Sequence, residues 1–233
     1  MESRTGERTA SSNDQIRLKE LDALTKRMYT EARERTRDPK WNAVIDPKIT
    51  IMFGPPMVKP DLVLVSFQGG AGDRSPTKWE WPDKLVYLDS RFAFGRNLTK
   101  LFNEAGHASM LKYRTTAITT CFPEARANDA SKWMRKTGAY ALWRNFSSNW
   151  ARRMLRAMQP RSIIVFGKKA SQSLGLEGCW SDVKRNGNGQ WYGRTEIEGC
   201  PAVYCHHLSQ GYKKSQVHYC LRAVESIVKP AKQ

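Results

Sequence analysis

The sequence predicts an α/β fold, a sandwich of helices around a mostly parallel sheet. Three observations predict it. Leu62-Val-Leu-Val65 and Ile163-Ile-Val-Phe166 are uninterrupted apolar runs of strand length, as expected of strands buried on both faces. Glycine follows both runs, Gly69-Gly70 after the first and Gly167 directly after the second. Segments of helical periodicity lie between the runs.

The elements follow in order. Residues 1–13 are polar and expected to be disordered. Residues 14–37 read as a helix, with Ile16, Leu18, Leu21, Leu24 and Met28 roughly on one face. Asn13 is placed to cap this helix and Pro39 to close it. It is expected to pack on the body, with a role in dimerisation or partner binding as the alternative. The segment 14–40 thus precedes one α/β domain over 41–233. Within that domain, Asp61–Ser66 reads as a strand and Phe94–Ala105 as a helix stopped by Gly106. Tyr113–Thr120 is a β-rich run ending at Cys121-Phe-Pro123. Residues 139–158 read as a helix ended by Pro160, and 168–175 as a helix after Gly167. Strands are expected at 190–197 and 201–205, after the turn Asn186–Gly189, with a last helix at 214–228. Ligands of such sheets sit beyond the carboxyl ends of the strands. The loops after Ser66, Thr120, Phe166 and Cys205 are therefore the expected site.

Charge points to the partner. The chain of 233 residues carries a formal charge of +17. Residues 1–40 hold ten Lys/Arg and eight Asp/Glu, whereas 41–233 hold 29 and 14. The basic excess therefore belongs to the folded body. Such a surface attracts polyanions through counterion release, and DNA is the expected partner. No run approaches the roughly 18 apolar residues of a membrane span, and the polar N-terminus does not read as a secretory signal. A soluble cytoplasmic protein is expected. Five cysteines, Cys121, Cys179, Cys200, Cys205 and Cys220, form no CxxC pair. Reduced thiols are expected rather than a disulfide framework. A zinc site drawn from Cys200, Cys205, His206, His207 and His218 would have no standard ligand spacing, so no metal or cofactor is expected.

Four ordered segments resemble the uracil-DNA glycosylase superfamily: Leu62–Asp73, Thr115–Pro123, Pro160–Leu174 and Pro201–Tyr212. Together they span roughly residues 50–228. The resemblance implies a three-layer sandwich around a central, mostly parallel four-stranded sheet. In that family the first loop bears a water-activating Asp or Asn, and Gln68 stands near that position here. Gly69-Gly70 replaces a Pro-Gly, and Asp73 is the only carboxylate of the loop. The family's base-reading Asn on the second strand corresponds to Thr116 or Thr119. Cys121 falls where iron–sulfur members have a ligand, but their N-terminal cysteine pair is absent. The family's His-Pro-Ser corresponds to His207-Leu208-Ser209, with His206 as a second candidate histidine.

The resemblance implies base excision from DNA by a monofunctional glycosylase. The base must leave the stack, and an oxocarbenium-like sugar and a departing anionic base must both be stabilised. His207 is expected to donate a hydrogen bond to the base oxygen. Gln68 or Asp73 would position water, and Phe67 would stack on the flipped base beside Gly69 and Gly70. Lys168, Lys169, Ser209, Lys213 and Lys214 would hold phosphates, with Gln210 or Tyr212 as the wedge in the duplex. The altered loop suggests a pocket widened for a modified pyrimidine. Antiviral members of the superfamily that remove glucosylated hydroxymethylcytosine set one expectation, and repair of uracil sets another. Two further alternatives are a non-catalytic DNA-binding module and a metal-dependent nuclease using Asp61, Asp73 and the two histidines. Trp79, Trp81, Trp180, Trp191 and Tyr192 are expected mostly in the core.

Overall fold

The computed structural model describes residues 12–41, 49–69, 79–88, 93–124, 138–186, 189–208 and 214–228. The first helix, α1 (Ser12–Thr36), starts slightly earlier than its apolar pattern suggests, so Asn13 lies within the helix and does not cap it. Its buried stripe is Leu21, Thr25, Met28, Tyr29 and Ala32, an i, i+4, i+7 series. Ile16 and Leu18 are exposed, at 54% and 51%. Ile16 sits five residues before Leu21, roughly 140° around the helix, which turns it away from the body.

The sheet is built around β1 (Leu62–Ser66), whose five residues are all buried. Then come α2 (Ala93–Glu104), α3 (Ala108–Tyr113) and β2 (Thr115–Thr119). The long helix α4 (Gly138–Met158) leads to β3 (Ile163–Phe166) and the short α5 (Lys168–Ser173). Strands β4 (Ser181–Asn186), β5 (Gly189–Ile197) and β6 (Cys200–Cys205) precede the final helix, α6 (Lys214–Val228). The sheet is single, open and six-stranded, in the order β2-β1-β3-β6-β5-β4. β1 pairs in parallel with β2 and β3, and β3 with β6. β5 and β4 continue the sheet antiparallel. The expectation of four strands is thus corrected to a mixed sheet of six. The missed strand, Ser-Asp-Val-Lys-Arg-Asn, is polar and largely exposed where described, because it is the outer edge of a hairpin.

Alternation on the strands supplies both faces. Val63, Val65, Ile118, Ile163 and Val165 pack toward α1, α4 and α5, with Met28, Trp143, Met154 and Leu174 in the same cluster. Leu62, Leu64, Ala117, Ile164 and Val203 pack toward α2, α3 and α6, with Leu98, Leu111 and Leu221. Each fully buried aliphatic side chain contributes about 1.5–3 kcal/mol relative to exposure. The outer edge of β2 is covered, not bare. Phe53 N donates to Ala117 O at 2.9 Å and Thr119 N to Ile51 O at 3.0 Å, so residues 49–53 satisfy backbone groups that would otherwise recruit another strand. The α1 helix packs on the body as expected. Trp150 Nε1 donates to Glu31 Oε2 at 3.3 Å, and the Arg35 guanidinium lies 4.0 Å from the Phe146 ring centre. No described helix is long and apolar enough to cross a membrane.

Candidate functional site

Because β2, β1, β3 and β6 run in one direction, their carboxyl ends share one edge of the sheet. The chain leaves β1 for β2 on one side, while β3 leads to β6 on the other. The seam between β1 and β3 is therefore the topological switch point, where open α/β sheets form their ligand crevice. All four loops singled out in the sequence end at this edge.

On the β3–β6 side, Gly167 and His207 form one unit. Gly167 has φ +86° and ψ 156°, a conformation essentially reserved for glycine. Its N–H donates to Cys205 O at 2.8 Å. A Cβ added to Gly167 would lie 3.4 Å from His207 Cβ and 3.8 Å from Cδ2, so the imidazole leans from β6 over the end of β3. The chain just beyond is tethered by Asn97, whose Nδ2 donates to Leu208 O at 2.8 Å. The His207 ring packs 5.1 Å from Phe94. Burial, with a smaller contribution from His206, pushes the His207 pKa down to about 4. The imidazole is therefore neutral at pH 7 and can donate an N–H without carrying a positive charge.

An aromatic row extends from His207 across the site. Phe94 also meets Phe166 edge-on at 5.1 Å, Tyr87 lies 4.7 Å from Phe94, and Phe53 stacks on Tyr87 at 4.9 Å. The Tyr87 hydroxyl lies 3.3 Å from Ser66 Oγ at the end of β1, and burial holds its phenol protonated.

On the β1–β2 side, Gly69 is buried where the loop after β1 closes on its neighbours. A Cβ there would meet Phe53 Cζ at 2.9 Å and Glu124 Cγ and Oε1 at 3.1 Å. Glycine at 69 thus permits a close approach that any side chain would block. Glu124 is partly buried, and the Thr50 hydroxyl donates to its Oε1.

The other expected residues divide clearly. Gln68 is partly exposed beside Gly69, and His206 is partly exposed beside His207. Phe67 is only 8% exposed and belongs to the core. It continues the alternation of Val63 and Val65 onto the α4 and α5 face, so it offers no open face for stacking. Thr116 is fully buried within β2, and its Oγ1 has no hydrogen-bond partner among the described residues. Thr119 Oγ1 donates to Thr50 O at 2.8 Å and Ile51 O at 3.1 Å. Thr119 is thus committed to backbone acceptors, and both threonines are buried. Lys168 and Lys169 are exposed at the start of α5, and Lys169 Nζ lies 5.9 Å from the Phe67 ring centre. Gly70, Asp73, Ser209, Gln210, Tyr212 and Lys213 lie outside the described residues, and Lys214 opens α6.

Several alternatives weaken on geometry. Asp61 precedes β1 at the amino end, opposite the two histidines, where Arg114 Nη2 lies 2.8 Å from its Oδ1. It cannot share a metal with His206 and His207. Cys200 and Cys205 occupy opposite ends of β6, about 17 Å apart along a strand, so no single zinc ion bridges them. Cys121 is fully buried and its thiol is pushed up to about 12 by burial, against a smaller opposing influence from Arg144 and Lys169. All five cysteines are free thiols. Trp79, Trp81 and Trp180 pack against the core and Tyr192 is buried.

The residues that sequence reasoning missed are Phe53, Tyr87, Phe94, Asn97 and Glu124. Phe94 and Asn97 carry a partial signal, since they lie on the apolar-periodic helix α2. Glu124 directly follows Pro123 at the end of the β2 run, on the carboxyl side of the sheet. Comparison with family models and with curated proteins finds no match for this chain.

Proposed function

We propose that the protein is a DNA glycosylase of the uracil-DNA glycosylase type, acting on a base drawn out of the duplex. The observation that carries this reading is the neutral imidazole of His207, leaning over β3 beside the switch point. Breaking an N-glycosidic bond sends the bonding electron pair to the base, and negative charge grows on its carbonyl oxygen. A fixed neutral N–H donor stabilises that charge as it forms. The parallel strand ends, with helices on both faces of the sheet, fit the three-layer arrangement of that superfamily. Exposed Lys168 and Lys169 at the same edge suit phosphate contacts, which position the duplex without reading its sequence. Gln68, partly exposed beside Gly69, would orient a water by its amide, though an amide cannot take the water's proton.

The substrate follows from the same loop. A modified pyrimidine is favoured over uracil by the altered sequence Gln68-Gly69-Gly70, not by open space at Gly69, which Phe53 and Glu124 fill. A second reading, a DNA-binding module without catalysis, draws on Gln68 in place of an acid and on the buried Phe67. Both are tested by single-turnover incubation with duplexes containing uracil, hydroxymethyluracil or glucosylated hydroxymethylcytosine, followed by alkaline cleavage of abasic sites. Strand scission at a modified pyrimidine supports the proposal. Scission at uracil alone removes the wide-pocket substrate, and binding without scission of any duplex favours the module.

A further inference from the structure

Two close approaches lie on either side of the switch point, and both occur at glycines. His207 leans from β6 onto Gly167, which directly follows β3. Glu124 leans from the end of β2 onto Gly69, three residues beyond β1. The backbones of β2 and β6 are three strands apart, about 14 Å. Each side chain reaches inward over a neighbouring strand end, and β1 and β3 are themselves paired. A carboxylate and a neutral imidazole thus flank the β1–β3 seam from opposite sides, with the row Phe53, Tyr87 and Phe94 between them.

Resting on the glycosylase reading, we propose that Glu124 is the catalytic carboxylate of this site. It supplies what Gln68 cannot, a group able to accept a proton and to stand opposite a cationic sugar. The step balances with water as the sole co-reactant. The bond between C1′ and the base nitrogen breaks, and its electron pair stays on the base, whose oxygen His207 hydrogen-bonds. The water oxygen bonds to C1′ while Glu124 takes one of its protons. The anionic base takes up a proton from solvent, and Glu124 returns its own to solvent. The Thr50 hydroxyl on Oε1 fixes the carboxylate against Gly69 while this happens.

The test needs no knowledge of the base. Full-length protein is titrated with two duplexes, one carrying a cationic pyrrolidine abasic-site analogue and the other its neutral tetrahydrofuran counterpart. A site built for an oxocarbenium-like sugar binds the cation more tightly. The unsubstituted protein is expected to prefer the cationic duplex by at least about tenfold. Glu124→Gln, which keeps an oxygen for the Thr50 hydroxyl, is expected to lose that preference while binding the neutral duplex as before. Glu124→Asp, which keeps the charge, is expected to retain part of it. A Glu124→Gln protein that still prefers the cation overturns the assignment of Glu124 and leaves the glycosylase reading standing. Equal loss in the Asp and Gln proteins shows a structural carboxylate and overturns the assignment as well. An unsubstituted protein that binds both duplexes alike overturns the glycosylase reading itself.

Discussion

The two ends of the parallel strands handle charge in opposite ways. At the amino end, buried Asp61 faces Arg114 at 2.8 Å and Arg161 at 3.7 Å. Glu198, in the turn before β6, is held by Arg152 at 2.8 Å and Arg156 at 2.6 Å. Arg152, more than Arg156, keeps the Glu198 carboxyl below its ordinary range, against the opposing influence of burial. At the carboxyl end, the histidine is neutral, the lining is aromatic, and no salt bridge to Lys168 or Lys169 forms among the described residues. The difference teaches that arginine at one end is matched internally, whereas Lys168 and Lys169 at the other are exposed and meet no carboxylate among the described residues. Net charge alone does not distinguish the two ends, and on the proposed function the pairing pattern favours the carboxyl edge for a polyanion.

Removal of His207 breaks this comparison most severely. His207→Ala is expected to lower the single-turnover excision rate by about 10²–10³-fold, as loss of one oxyanion donor does, with little change in affinity for an abasic duplex. Full activity in this variant removes the site assignment. The same substitution carries a pH signature. With its folded pKa at about 4 against about 6.5 unfolded, His207 contributes stability that is present above about 6.5 and lost as pH falls toward 4. The loss is on the order of 3 kcal/mol. Glu198, with its pKa also lowered by folding, adds to the acid loss. Denaturant unfolding of the protein and of His207→Ala between pH 7 and 4 separates the two, since only the histidine component vanishes in the variant.

Asp61→Asn sharpens the comparison from the other end. The two arginines it releases have side chains 56% and 50% exposed, so water takes over much of their solvation. The expected cost is about 1–2 kcal/mol of stability, measured by urea unfolding, with unchanged excision rate and DNA affinity. A large loss of activity without loss of fold would place function at the amino end and undo the contrast.

What was legible in the sequence follows from physics that acts locally. Leu62–Val65 and Ile163–Phe166 announced central strands because burial on both faces demands uninterrupted apolar residues. The position of the four loops then followed from strand direction alone. Phe67 was misjudged because its side is decided by alternation with Val63 and Val65, not by its nearness to a glycine loop. The Thr116 and Thr119 hydroxyls looked like base-reading groups, yet residues 49–53 cover the β2 edge and claim Thr119. Glu124 was invisible because its meaning comes from contact with Gly69 and Thr50, residues far away along the chain.

The smallest expected effect is the most direct measure of the asymmetry. Lys168→Ala and Lys169→Ala each remove an exposed cation at the carboxyl edge. If each neutralises one phosphate, the slope of log affinity against log salt is expected to flatten by about 0.9 per substitution. Affinity should fall severalfold, equally for every DNA sequence, since these contacts position the duplex and do not read it. Arg156→Ala is the matched control, because its guanidinium is already bound to Glu198 at the opposite end. Its salt slope should equal that of the unsubstituted protein. If the arginine variant flattens the slope as much as the lysine variants do, internal pairing does not decide which charge DNA meets, and the polyanion lies across the amino end as well.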